Sequence, residues 1–143
     1  MLKSKTFILL LVLLMGLLTA AVVFADPIVV DVTEPFVETA SATNRLFRDG
    51  TASDCSGKAF PGPFSSGGFP YSVEGPFGPV LEDGCITIDW DPLTCGTGVH
   101  PMVYRDSFDP AWGPDNATNY LGDSGSSQLI SFSFPVVAGD TFV

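Results

Sequence analysis

Ile130-Ser131-Phe132-Ser133-Phe134-Pro135-Val136 is the stretch on which the fold turns. Its apolar residues alternate with Ser131, Ser133 and Pro135, a period of two that predicts a strand with one buried face. A strand of this kind needs a second layer to cover that face. Working outward, Cys85-Ile86-Thr87-Ile88-Asp89-Trp90 shows the same alternation, with Ile86, Ile88 and Trp90 on one face. Phe69, Tyr71 and Val73 repeat it, and Pro70 pushes that strand towards a sheet edge. Val99–Tyr104 reads as a return strand. Between these runs lie turn signals, among them Asp49-Gly50, the Gly/Pro-rich residues 51–68, Gly75–Gly84, Cys95-Gly96-Thr97-Gly98 and Val137-Ala138-Gly139-Asp140. From Asp26 onward, no segment of twelve residues or more is helical in period and free of Pro and Gly. Many short strands separated by turns predict an all-β protein, an antiparallel, jelly-roll-like β-sandwich. Periodicity alone leaves a β-barrel open.

The chain has 143 residues, room for one domain. Its first 25 residues carry Lys3 and Lys5, then an apolar run to Val23, then Val23-Phe24-Ala25 before Asp26. This is the pattern of a secretory signal peptide. The expected organisation is a signal-peptide helix over 1–25, an N-terminal strand or linker over 26–43, in which Ile28–Val32 suits a strand, and the β domain over 44–143. The formal charge is −10 at pH 7, and it falls two units lower once Lys3 and Lys5 are removed. An exported chain this acidic excludes nucleic acid, whose phosphates need a basic face, and disfavours an anionic membrane surface after cleavage. Three cysteines, Cys55, Cys85 and Cys95, remain for an oxidising compartment. Their odd number leaves one thiol over, and their spacing fits no zinc site.

Catalytic constellations are weak. The single histidine, His100, lies between Val99 and Pro101 with no nucleophile elbow or HExxH in the chain, so it reads as a structural residue. The carboxylate pairs Glu82/Asp83 and Asp89/Asp91 read as turn residues rather than a glycosidase pair. Calcium is the sharper candidate. Asp106, Asp109, Asp115, Asn116, Asn119 and Asp123 fall in one loop, and calcium takes six to eight oxygens; Asp106, Asp109 and Asp123 are the candidate ligands. The same residues also serve as turn formers. Trp112, with Tyr104 and Tyr120 near it in sequence, is a candidate ligand-binding platform, since exposed rings stack on sugars or anchor partners. The competing reading folds Trp112 back over the core. Asn116-Ala117-Thr118 fits a glycosylation acceptor.

A wider string of residues carries a resemblance. It runs through Arg45-Leu46-Phe47-Arg48-Asp49-Gly50, Gly57-Lys58-Ala59-Phe60-Pro61-Gly62, Cys85-Ile86-Thr87-Ile88, Cys95-Gly96-Thr97-Gly98-Val99-His100-Pro101, Ser107-Phe108-Asp109-Pro110, Asn119-Tyr120-Leu121-Gly122-Asp123-Ser124-Gly125 and Ala138-Gly139-Asp140-Thr141-Phe142-Val143. In this order they resemble the bacterial pre-peptidase C-terminal domains, β-sandwich modules of large secreted proteins. The resemblance implies a non-catalytic module with a structural or adhesive role on the bacterial surface or in the medium. Its expected partner is an extracellular protein or glycan. The alternative is a carbohydrate-binding module accessory to an extracellular hydrolase, and an exposed, coplanar set of Trp112, Tyr104 and Tyr120 would favour it.

Modules of this kind continue past Phe142-Val143 with further strands, the last opened by a cysteine. The resemblance therefore implies that Cys85, which also opens a strand, is the unpaired residue and that Cys55 pairs with Cys95, both lying in turn-rich segments. It implies too that one or two strands follow Val143. The three residues after the turn at Ala138-Gly139-Asp140 would span roughly 10 Å at about 3.3 Å per residue, too little to cover the strand that precedes them.

Overall fold

The computed structural model describes residues 40–91 and 98–143. The expectations for 1–25, for most of 26–43 and for Cys95 lie outside these residues. Among the described residues the elements are β1 (Ala40–Leu46), β2 (Pro63–Tyr71), β3 (Gly84–Ile88), β4 (Met102–Tyr104), α1 (Asp115–Asn119), β5 (Tyr120–Asp123) and β6 (Phe132–Val136). Among the described residues the regular structure is mostly strand, with one five-residue α-helix, and no described helix is long and apolar enough to cross a membrane. The described strands form three two-stranded antiparallel sheets, β1–β2, β3–β6 and β4–β5.

The alternating runs form the predicted pair. Ile86 lies opposite Phe134 and Ile88 opposite Phe132, so the apolar residues of β3 and β6 share one face. Thr87 and Ser133 hold the other face with a hydroxyl–hydroxyl hydrogen bond of 2.8 Å. Trp90 falls just beyond β3 and still packs against the same core, and its Nε1 donates to the Ile130 carbonyl at 3.1 Å.

The β4–β5 sheet lies between two apolar clusters, and the period of two explains how. Val103 and Leu121 join Val80, Ile86, Phe132, Phe134, Val136 and Phe142 in the larger cluster. Their neighbours Tyr104 and Tyr120 point the other way and form the smaller cluster with Leu46, against which Phe60, Met102, Phe108, Trp112 and Val143 pack. A sheet buried on both faces needs apolar residues at successive positions, and Val103-Tyr104 and Tyr120-Leu121 supply them.

The structure corrects three expectations. The Gly/Pro-rich run that suggested a loop holds most of β2, which pairs with β1 through a register shift between Ala42 and Asn44; backbone pairing needs no side-chain alternation. The acidic loop after Tyr104 contains α1 and β5. The last three residues do not return along β6. Instead Phe142 bridges Phe77 on one side and Arg105 on the other, while Val143 exchanges backbone hydrogen bonds with Tyr104 at 2.9 and 3.0 Å. β6 is paired along its length with β3, so it is not the unpaired strand that the sequence suggested.

Candidate functional site

The described residues with the greatest chemical potential meet at the end of β5. Asp123 closes that strand, and its carboxylate is fully buried. Lys58 Nζ reaches both carboxylate oxygens at 3.1 Å. His100 Nε2 lies 3.2 Å from Oδ1. The Tyr120 hydroxyl donates to Oδ2 and the Gly125 N–H to Oδ1. A carboxylate only accepts, so His100 carries its proton on Nε2. Its Nδ1 is buried without a hydrogen-bond partner.

Lys58 arrives from a loop that two local turns shape. The Thr51 N–H donates to Asp49 Oδ1 at 3.0 Å and the Ser56 N–H to Asp54 Oδ1 at 2.8 Å, side-chain-to-backbone bonds that imitate a turn. Asp49 then accepts from Lys58 Nζ at 2.8 Å, and the Thr51 carbonyl accepts from it as well. Ser53 ties the loop to β5 through its backbone, its N–H donating to the Asp123 carbonyl at 2.9 Å, while Ser53 Oγ accepts from the Asp123 N–H at 3.2 Å. Gly50 adds a 2.9 Å bond to the Gly125 carbonyl.

Burial alone would push the Asp123 carboxyl up. The hydrogen bonds from His100, Tyr120, Lys58 and Gly125 outweigh it and hold the group below the ordinary carboxylate range. Burial raises Tyr120, and its bond to the charged Asp123 raises it further. Tyr104 is raised by burial and then by the Asp123 charge. The cluster is thus an ionised acid, an ammonium and two neutral phenols closed off from water. A surface cleft of about 480 Å³ is lined by Arg48, Gly50, Gly125, Ser126, Ser127 and Gln128.

The residues that the sequence put forward are used differently. The structure joins Cys55 to Cys85, with Cα atoms 5.5 Å apart, and this corrects the expected Cys55–Cys95 pair. The β3–β6 pairing sets Cys85 opposite Pro135, and Gly57, two residues after Cys55, lies against that same proline, which brings the two cysteines together.

The three calcium candidates are not gathered. Asp123 is taken by Lys58 and its neighbours. Asp109 accepts from the Ala111 and Gly113 N–H groups at 2.8 and 3.0 Å, while the Asn116 side chain bonds its backbone on both sides. Asp106 accepts from the Thr141 hydroxyl. Among the described residues, no group of three or more His, Cys, Asp or Glu could hold a metal ion.

Trp112, Tyr104 and Tyr120 do come together, but in the smaller core cluster. Tyr104 is 1% and Tyr120 8% exposed, and their rings meet edge to face at 68°. Trp112 turns its Nε1 inward to the Asn44 carbonyl at 2.9 Å. Tyr104 and Tyr120 are therefore neither coplanar nor exposed, as the sugar-platform reading required.

Sequence reasoning missed Lys58, Asp49 and Ser53. A signal for Lys58 was present: a chain with so few cations that places one between Gly57 and Ala59, close to Cys55, has a specific use for it. No family model, curated protein or solved structure matches the chain.

Proposed function

We propose that the chain is a non-catalytic β-sandwich module of a secreted or cell-surface protein, with a structural or adhesive role. One observation carries this reading. Asp123, Lys58, His100 and Tyr120, the side chains best suited to acid–base chemistry, are spent on one another inside the protein. They tie the loop that carries Lys58 to the end of β5, 65 positions away. A catalytic group must reach the proton it moves, and the Asp123 carboxylate, at 0% exposure, and the His100 side chain, at 4%, are closed to a substrate. The Cys55–Cys85 bond fits an oxidising destination. The order of residues that resembles the pre-peptidase C-terminal modules supports the same role.

Two measurements test the reading. Protease added outside intact producing cells, together with analysis of the medium, should find the protein outside or on the surface; retention inside the cell would count against export. Purified protein and its His100→Gln variant should show the same background rates on peptide, ester and glycoside substrates. A turnover that disappears in a folded His100→Gln protein overturns the non-catalytic reading.

A further inference from the structure

Lys58 and Asp123 are 65 positions apart in the chain, and their charged ends are in contact. The lysine side chain is 10% exposed and the carboxylate 0%. An ion pair in such a place bears the desolvation cost of two charges. A second carboxylate, Asp49, touches the same Nζ at 2.8 Å and is itself 31% exposed. Three donors, the Tyr120 O–H, the Gly125 N–H and His100 Nε2, converge on the Asp123 oxygens. These are the parts that an amide condensation requires: a nitrogen nucleophile, an acyl carbon, a proton carrier at the nitrogen and donors for the oxyanion.

We propose that Lys58 and Asp123 condense, without any other protein, to a side-chain amide that cross-links the loop after Cys55 to the end of β5. The ammonium first passes one proton to an Asp123 oxygen, with which it is in contact, leaving a free amine beside a neutral carboxyl. The lone pair on Nζ then forms the bond to Asp123 Cγ. The negative charge that develops on the other oxygen is held by those of the Tyr120, Gly125 and His100 donors that already face it. Asp49 takes a second proton from the nitrogen and delivers it to the hydroxyl that leaves. The Cγ–O bond breaks and water leaves. One nitrogen–carbon bond replaces one carbon–oxygen bond, two of the three ammonium protons depart in the water, and nothing is oxidised or reduced.

Two physical terms favour the bond. Holding amine and acyl carbon together makes the step intramolecular, with the large effective concentrations that follow. The product exchanges two buried charges for a neutral amide and removes their desolvation cost. Opposing it, Asp49, the Thr51 carbonyl and Asp123 all stabilise the ammonium, so moving its proton is the slow part, and the cross-link accumulates after folding. Of these acceptors, Asp49 is the carboxylate that is not itself the acyl group, and so the one left to carry a proton from the nitrogen to the leaving oxygen. The bond does not depend on the role proposed above for the module.

Mass spectrometry decides the matter. The purified protein is incubated in its folded state, then denatured and reduced. Its intact mass should fall one water below the mass calculated from its own N-terminus, and fragmentation should yield a branched peptide joining Lys58 to Asp123. Lys58→Arg and Asp123→Ala should keep the full sequence mass. Asp49→Asn, at a less buried position, should fold and convert about a hundredfold more slowly, the scale of a lost proton carrier. Full mass in wild-type protein that melts cooperatively overturns the proposal. So does a missing water confined to one peptide at Asp123, which marks a succinimide. Conversion of Asp49→Asn at the wild-type rate overturns the role given to Asp49.

Discussion

Gly122 lies so close to Ser53 that a Cβ built on it would fall 2.3 Å from Ser53 Oγ and 3.1 Å from Ser53 Cβ. The same Cβ would meet Phe134 Cβ at 3.3 Å. Gly122 is therefore the point where β5 is pressed between the loop that carries Ser53 and the face of β6. Gly122→Ala should destabilise the protein by roughly 1–3 kcal/mol, the range for forcing a methyl into a packed interior. Gly84 is the control: nothing lies within 4 Å of its Cβ position, and Gly84→Ala should stay within about 0.5 kcal/mol. Urea denaturation of the two variants checks the contrast. Equal midpoints would mean that the approach of Ser53 to Gly122 is not there.

The Cys55–Cys85 bond closes a loop with a sequence separation of 30. In the chain-entropy account, a loop of that length contributes roughly 3.5 kcal/mol by limiting the unfolded state. The double variant Cys55→Ala/Cys85→Ala should lose about that much in a denaturant titration. Peptide mapping without reduction should recover Cys55 with Cys85. A Cys55–Cys95 peptide would show that the pairing expected from the sequence holds after all.

The strands that the sequence revealed are those with an apolar and a polar face. β3 and β6 could be read because Ile86, Phe132, Phe134 and Val136 alternate with residues that meet water. β5 could not, since all four of its residues are buried and Tyr120-Leu121-Gly122-Asp123 has no polar face to alternate with. β2 was hidden for another reason: Pro63–Tyr71 contains Gly67, Gly68 and Pro70, which suggest a loop, and backbone pairing to β1 overrides them. The Asp123 cluster was illegible because its members come from four places in the chain. Asp123 looked like a loop acid with oxygen to offer a metal. What decides its use is a lysine 65 positions away and a histidine 23 positions away, and no local spacing encodes either. The disulfide pairing failed similarly, since it depends on the β3–β6 register and on where the Gly57 turn lands.

Alkaline titration separates the buried phenols from the solvent. Tyr104 and Tyr120 both have raised pKa values, chiefly because burial disfavours the phenolate. A group raised in the folded state contributes stability that is fully present below its unfolded pKa, about 10 for tyrosine. That contribution is lost as pH rises from there towards the folded values. Stability should accordingly fall with increasing pH above about 10, with the unfolded chain releasing protons that the folded one keeps. Ultraviolet absorbance should show Tyr104 and Tyr120 ionising together with the loss of structure, not before it. Tyr104→Phe and Tyr120→Phe should each make that fall less steep. Reversible ionisation of either residue in a folded protein would contradict their burial.

Trp112 gives the sharpest test of the aromatic cluster, because a core residue and a sugar platform respond oppositely to the same change. Its indole N–H reaches the Asn44 carbonyl in β1, across 68 positions. Its ring lies 5.8 Å from Phe108 at 86° and 6.4 Å from Phe60. Trp112→Phe keeps an aromatic ring and removes the donor, leaving the Asn44 carbonyl without that bond at a cost of about 1 kcal/mol. Trp112→Ala removes the ring as well and opens a space beside Phe60 and Phe108, costing about 3 kcal/mol. The expected order of stability is wild type, Trp112→Phe, Trp112→Ala, measured as urea midpoints with an unchanged slope. A binding platform would behave differently. Its removal would leave the midpoint in place and abolish a glycan-dependent change in tryptophan fluorescence. If both variants unfold at the wild-type midpoint and soluble glycans perturb the emission of the wild type but not of Trp112→Phe, the indole faces outward and the ring cluster is a binding surface.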